Sequence, residues 1–207
     1  MTITETTPLR AVALVCTLSP SPAASSSQLL AEQTMAALAE HGVTGKVIRI
    51  ADHDVRPGVE TDMGDGDAWP AIRDTILGAD ILVLSTPIWL GHPSSIAQRV
   101  MERLDAEISE TDDEGRMLTY GKVAAVCVVG NEDGAHKVSA DLFQGLNDVG
   151  FSLAPNAVTY WVGEAMQGTD YQDLDKTPKT TSATTATLAA NTAHLARQLK
   201  ASPYPSS

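Results

Sequence analysis

Ala79-Asp-Ile-Leu-Val-Leu-Ser-Thr-Pro87 is the stretch on which the fold turns. The unbroken aliphatic run Ile81 to Leu84 predicts a strand over Ala79–Thr86 buried on both faces, as in the interior of a parallel sheet. Parallel strands need crossover connections, usually helices, and helical patterns flank this run. Before it, Trp69, Ile72 and Ile76 share one face and Gly78 stands near the end. After it, Ser94 or Ser95 opens a pattern of Ile96, Val100, Leu104 and Ile108 at a period of 3.6. Working outward, further strands are predicted at Ala11–Cys16, Lys46–Ile50, Lys122–Val129 and Ala157–Val162. Helices follow from Leu30, Thr34, Leu38 and His41 before Gly42, from Val138, Leu142, Leu146 and Val149, and from Leu188, Thr192, Leu195 and Leu199. Five strands alternating with five helices predict an α/β doubly wound parallel sheet with helices on both faces, and the order 2-1-3-4-5 suits that count.

The 207 residues suit a single domain, with a core over about 11–200 and a Pro/Ser-rich tail, 202–207, expected to fray. With 14 Lys+Arg against 26 Asp+Glu, the net charge of −12 lacks the basic footprint of a nucleic-acid binder. Cys16 and Cys127 lie far apart in sequence with no paired-cysteine motif, which excludes a disulfide framework or a thiolate zinc site and leaves two buried thiols. No apolar run reaches membrane-spanning length, so no membrane partner is expected. Arg10 followed by Ala11–Cys16 and small residues at Ala23–Ser25 imitates a secretion signal, but the apolar part is short and Glu5 dilutes the charge before it. A cytoplasmic location is expected. The stretch Asp52–Asp67 holds six acids against Arg56 alone and reads as a solvated surface loop; Ser109–Gly115 reads as another acidic loop. The histidines show no metal-ligand spacing, and no metal site is expected.

In an open sheet of this order, ligands sit beyond the carboxyl ends of the strands, where the winding reverses between strands 1 and 3. Three loops converge there. The first, Thr17–Ser27, has hydroxyls at Thr17, Ser19, Ser21, Ser25, Ser26 and Ser27 beside a helix N-terminus, a setting for a phosphate or simply for a helix cap. No Lys or Arg lies between Arg10 and Lys46, so a phosphate here is expected to be held by dipoles and hydrogen bonds alone. The second, Pro87–Pro93, leaves the central ladder at a proline; Trp89 either flanks a planar ring or packs under its own helix, and Gly91 permits close backbone approach. The third, Gly130–His136, offers glycines and exposed amides, with Glu132 and Asp133 as acids; a capped helix start explains it equally well. A Cys-x5-Arg phosphatase loop fails because Pro22 stands where Arg is needed. Walker A and dinucleotide fingerprints fail for want of Gly-Lys-Ser/Thr and of glycines in the first loop.

The ordered set Ser25-Ser-Ser-Gln-Leu-Leu30, Ser85-Thr-Pro-Ile-Trp-Leu-Gly91 and Val129-Gly-Asn-Glu-Asp-Gly-Ala135 resembles flavodoxin-like FMN proteins, most of all the NAD(P)H-dependent FMN reductase group, from about Ala11 to Val162. The resemblance implies that Thr17, Ser19, Ser25, Ser26 and Ser27 hold the phosphate end of FMN. Pro87, Ile88, Trp89, Leu90 and Gly91 would meet the isoalloxazine ring, and Gly130, Asn131, Glu132 and Gly134 its far edge. Two positions depart from the common pattern: Pro20 stands where many of the group carry Arg, and Trp89 where many carry Tyr.

With FMN bound, the cofactor performs the redox step and the protein supplies orientation and electrostatics. The expected function is an FMN-dependent oxidoreductase passing reducing equivalents from NADH or NADPH to a quinone, free flavin or similar small acceptor. A flavodoxin-type electron carrier steered by its acidic surface and a flavodoxin-like module that has lost FMN are the alternatives. No catalytic acid or base is assigned. Glu132 and Asp133 are candidates for tuning the flavin potential, and His92 and His136 for positioning an acceptor. Arg99, Arg103, Arg116 and Lys137 are candidates for meeting a nicotinamide phosphate. The connector Gly163–Thr180, beside Tyr160 and Trp161, is extra surface, and the resemblance to the reductase group implies that such surface builds a homodimer or higher homo-oligomer.

Overall fold

The computed structural model describes residues 8–164 and 167–205. Five parallel strands, β1 (Leu9–Val15), β2 (Val43–Arg49), β3 (Ile81–Trp89), β5 (Val123–Gly130) and β6 (Ser152–Val162), lie in the order β2-β1-β3-β5-β6. This is the 2-1-3-4-5 order of the flavodoxin-like fold. The additional strand, β4 (His92–Pro93), has two residues and folds back antiparallel on Trp89 and Ile88. The helices are α1 (Ser26–Glu40), α2 (Trp69–Leu77), α3 (Ser95–Leu104), α4 (Ala135–Asp148) and α5 (Lys179–Ala201). None of the described helices is long and apolar enough to cross a membrane, and the described residues hold no cluster of three or more His, Cys, Asp or Glu fit for a metal ion.

Side chains alternate across the sheet, so each central strand feeds two cores. Val12, Leu14, Leu82, Leu84, Val126 and Val128 face Ile72 and Ile76 of α2, Val100 and Leu104 of α3, and Leu142 and Leu146 of α4. Ala13, Val15, Ile81, Val83, Ala125 and Cys127 face Leu30 and Leu38 of α1 and Leu188, Ala189 and Ala193 of α5. Burial pushes both thiols up, Cys127 to about 12, which makes them inert in the folded protein. The buried stripe of α5 runs through Thr181, Thr185, Leu188, Ala189, Thr192, Ala193 and Ala196. Of the residues that marked this helix in the sequence, Leu188 and Thr192 are buried, and Leu195 and Leu199 are partly buried and pack against the same core.

Several boundaries differ from expectation for local reasons. β2 begins at Val43 rather than Lys46, since Gly45 lies so close to the Ala11 carbonyl that a Cβ there would clash at 2.0 Å. β3 continues through Pro87 to Trp89: β1 leaves the ladder at the Val15–Ser85 pair, and only the β5 side still binds, with Pro87 opposite Val129. β6 starts at Ser152 rather than Ala157, and its register against β5 shifts around Pro155 and the left-handed Asn156, which hid its first half. The pattern after Ser94 ends as α3 at Leu104, so Ile108 closes a 3-10 turn and is exposed. The tail is anchored as far as Tyr204, whose ring meets Tyr120 edge-on and whose hydroxyl pairs with Ser152; Ser206 and Ser207 lie outside the described residues, as does Glu5.

The acidic stretch Asp52–Asp67 is not simply solvated. Its last acid, Asp67, is fully buried in an ion pair with Arg103, Nη1 to Oδ2 at 2.7 Å. Arg103 also donates to the carbonyls of Arg56 and Glu60, and Asp67 accepts N–H bonds from Met63, Trp69 and Arg56. Arg103 is thus a structural cation, unavailable to a nicotinamide phosphate. Arg116 is likewise engaged, by Asp112, Glu114 and the Tyr204 carbonyl. Burial raises the Asp67 carboxyl, but these hydrogen bonds outweigh it and hold the group at about 2. Asp67→Asn leaves a buried guanidinium without its anion and is expected to lower stability by about 3–5 kcal/mol, read from urea unfolding at pH 7. Because the folded value lies below the ordinary one, the gap between wild type and variant is expected to narrow as pH falls from about 5 to about 2. A constant gap would assign the loss to packing instead.

Candidate functional site

The loops after β1, β3 and β5 meet at the carboxyl edge of the sheet around a cavity of about 550 Å³, within the range of small-molecule sites. Two hydroxyls that flank the second loop, one in β3 before it and one capping α3 after it, hold the first loop in place. Ser85, inside β3, donates to the Ser27 carbonyl at 2.7 Å, and Ser94 donates to the Cys16 carbonyl. Ser94 also caps α3 by accepting from the Ala97 N–H, and its own N–H binds Thr86. These buried bonds fix the separation of the first and second loops.

Of the residues expected at the site, Thr17, Ser19, Ser25, Ser26, Ser27, Pro87, Ile88, Trp89, Leu90, Gly130, Asn131 and Glu132 line the cavity. Their individual tasks differ. Ser25 caps α1 by accepting the Gln28 N–H, Ser26 accepts the Gln172 N–H, and Ser27 is buried. Apart from the Gln28 N–H that Ser25 accepts, the first-turn N–H groups of α1 have no acceptor within the helix, and the residues of this turn, Ser26 and Ser27, line the cavity. Trp89 is 54% exposed and lines the cavity, so it does not pack under α3. Leu90 and Gly91, both at positive φ, form the two-residue turn between β3 and β4, and Leu90 is 89% exposed.

Gly91 and Gly134 are not on the wall. They pack against each other and join the second and third loops; a Cβ on Gly134 would sit 3.0 Å from the Gly91 Cα. Asp133 is also turned away, its carboxylate accepting the Gly134 N–H. His136 pairs with the Tyr160 hydroxyl, and His92 with the Lys137 ammonium, which also bridges Asp141; none of these lines the cavity. Arg99 donates to the Val55 carbonyl, also off the wall.

The connector after β6 supplies a wall that local patterning did not reveal. Asp170, Tyr171 and Gln172 of the connector line the cavity together with Trp161, near the end of β6. Tyr171 is the anchor: it is buried, its hydroxyl donates to Gln33 of α1, and its ring lies 5.5 Å from that of Trp161. Asp170 accepts from Asn131, so the connector touches both the third loop and, through Gln172, the first. Instead of serving only as surface, this segment is part of the cavity. A buried aromatic in a polar connector was the one local signal. Arg49, at the end of β2, was also missed: it reaches beneath the first loop and donates to the carbonyls of Ser19 and Ala23. Asp52 holds the same loop by accepting from the Ser21 N–H and hydroxyl.

Residues 9–167 match the family model of the NADPH-dependent FMN reductases. The chain belongs to this family. Among relatives, the 8-demethyl-8-aminoriboflavin-5'-phosphate synthase of Streptomyces davaonensis is 34% identical over 206 residues, 95% of this chain and 80% of that protein. A divalent metal cation transporter, MntH, of Mycobacterium bovis is 36% identical over 200 residues, but these span 93% of this chain and only 29% of that protein. Among solved structures, RosB with a bound intermediate, 8-demethyl-8-formylriboflavin-5'-phosphate, superposes with a TM-score of 0.86 at 34% identity, covering 95% of this chain and 82% of that one. As a member of the FMN reductase family, the chain is a flavodoxin-like protein of the flavin-dependent oxidoreductases.

The Ser94 hydroxyl serves two elements at once, donating to the Cys16 carbonyl and accepting the Ala97 N–H. Ser94→Ala removes both the α3 cap and the tie to the first loop, and is expected to lower stability by about 1–2 kcal/mol. Chemical denaturation measures this, and an unchanged midpoint would show the tie to be dispensable.

Proposed function

We propose that the protein binds FMN in the cavity at the carboxyl edge of β1, β3 and β5, and passes reducing equivalents from NADH or NADPH through it to a small acceptor such as a quinone or free flavin. The observation that carries this reading is the polarity of the cavity. One end is a helix N-terminus surrounded by Thr17, Ser19 and Ser25–Ser27, and the other is the apolar loop Pro87–Leu90. A phosphate on a polar chain attached to a flat ring has the same polarity, and the N–H groups of α1 suit its anion. The side-chain oxygen of Gln172, buried and without a partner among the described residues, fits a ligand that donates a hydrogen bond. Bound FMN would supply hydride acceptance and release. The residues of this chain would bind the phosphate, flank the ring with Pro87, Ile88, Trp89 and Leu90, and face its far edge with Gly130, Asn131 and Glu132.

A second reading treats a riboflavin phosphate as the molecule transformed. It is favoured by the relative named as a synthase of an aminoriboflavin phosphate, and by the bound formylriboflavin phosphate of the similar solved structure. The experiment is an absorption spectrum of the purified protein before and after FMN addition and removal of excess, followed by anaerobic NADH or NADPH and mass analysis of the flavin. A flavin spectrum bleached by a nicotinamide, with the flavin mass unchanged, supports the oxidoreductase. A bound flavin that no nicotinamide reduces points to an electron carrier, and an altered flavin mass points to the second reading. A protein that does not retain FMN overturns the cofactor.

Glu132 faces the cavity while Asp133 is spent on the Gly134 N–H. A negative charge beside the ring opposes electron uptake, so Glu132→Gln is expected to raise the flavin midpoint potential and Asp133→Asn to leave it nearly unchanged. Spectroelectrochemical titration checks this; equal shifts in the two variants would remove the distinction.

A further inference from the structure

We propose that Arg49 is the cation of the phosphate site, supplied from β2 beneath the first loop to offset the charge of the ligand's 5′-phosphate. The inference rests on the FMN reading and deepens it. Arg49 is 7% exposed, and all its hydrogen bonds go to neutral acceptors. Nε donates to the Ser19 carbonyl at 2.8 Å, and Nη1 to the Ala23 carbonyl at 2.8 Å and to Gln28 Oε1 at 3.2 Å. Nη2 is buried with no partner among the described residues, where Arg49 also makes no ion pair. The nearby Asp52 attracts Arg49 across space but makes no ion pair with it within 4 Å among the described residues; its oxygens accept from the Ser21 N–H and hydroxyl.

A buried guanidinium without an anion is unfavourable. The other deeply buried cation of the fold, Arg103, has the Asp67 carboxylate. Arg49 has only loop carbonyls and an amide, and those acceptors bracket Ser25, Ser26 and Ser27 in sequence. Arg49 does not itself line the cavity; its guanidinium is bonded to Ser19, which does, and to Ala23 and Gln28 on either side of Ser25–Ser27. An anion at the α1 N-terminus is therefore attracted by both the guanidinium and the helix dipole. A phosphate ester supplies that anion, whereas the dephosphorylated flavin does not.

The test is titration of the apoprotein with FMN and, separately, with riboflavin, following quenching of flavin fluorescence. R49M keeps an unbranched apolar stem and removes the guanidinium with its charge and its N–H donors. It is expected to bind FMN about tenfold or more weakly than wild type while riboflavin binding changes by less than about threefold. R49K restores charge without the planar fork, and is expected to recover part of the FMN affinity. R49M that binds FMN as wild type does overturns the proposal. Equal losses for FMN and riboflavin overturn it as well, leaving Arg49 as a prop for the loop. Circular dichroism establishes folding; if R49M is unfolded, R49Q is titrated in its place under the same criteria. Wild-type protein that binds neither flavin defeats the FMN reading itself, a result separate from any variant.

Discussion

The hydrogen bond from the Ser85 hydroxyl to the Ser27 carbonyl joins two elements 58 residues apart at the one place where the sheet reverses its winding. Ser85 sits inside β3, among side chains buried on both faces, and its partner is the first turn of α1. With Ser94 donating to the Cys16 carbonyl, it sets the distance between the serine-rich loop and the loop of Trp89. Buried polar groups of this kind must be satisfied, so neither loop can shift without leaving a hydroxyl or carbonyl unpaired. The cavity and the orientation of α1 toward it both depend on that pairing.

Around this centre the chain treats charge in two ways. Its surface is acidic, whereas the cations that matter structurally are inside. Arg103 organises the acidic stretch Asp52–Asp67 by pairing with Asp67 and gathering the carbonyls of Arg56 and Glu60, while Arg73 pairs with the buried Glu107. Arg49 and Asp52 both hold the first loop, each through its own hydrogen bonds and with no ion pair between them among the described residues. A segment that looks like solvated acid in one dimension is therefore built on a buried ion pair, and a loop without a basic residue of its own is supported by a distant one.

The fold was legible because its strands carry their burial in their composition. Ile81 to Leu84 and Val123 to Val129 cannot face water on either side, and the intervening helices keep a steady apolar period. What was misread lay where backbone geometry overrides propensity: Gly45 tolerated by close strand contact, Pro87 tolerated because β1 has already ended, and Pro155–Asn156 absorbed by a register shift. The three loops of the cavity were also legible, since each directly follows a strand at the switch point. Asp170, Tyr171 and Gln172 were not, because a connector's path across a sheet edge leaves no periodic trace.

By itself, the sequence determined the alternation of elements, the two-faced burial of the central strands and the identity of the loops gathered at their carboxyl ends. These follow from short-range patterning and from the handedness of parallel crossovers. Only the tertiary structure decided that Gly91 and Gly134 join two loops instead of lining the cavity, and that Tyr171 anchors the connector as its wall. It also decided that Arg103 belongs to Asp67, and that Arg49 belongs to the serine loop. Each depends on contacts between residues distant in sequence, whose partners are selected by the packing of the sheet and not by their neighbours in the chain.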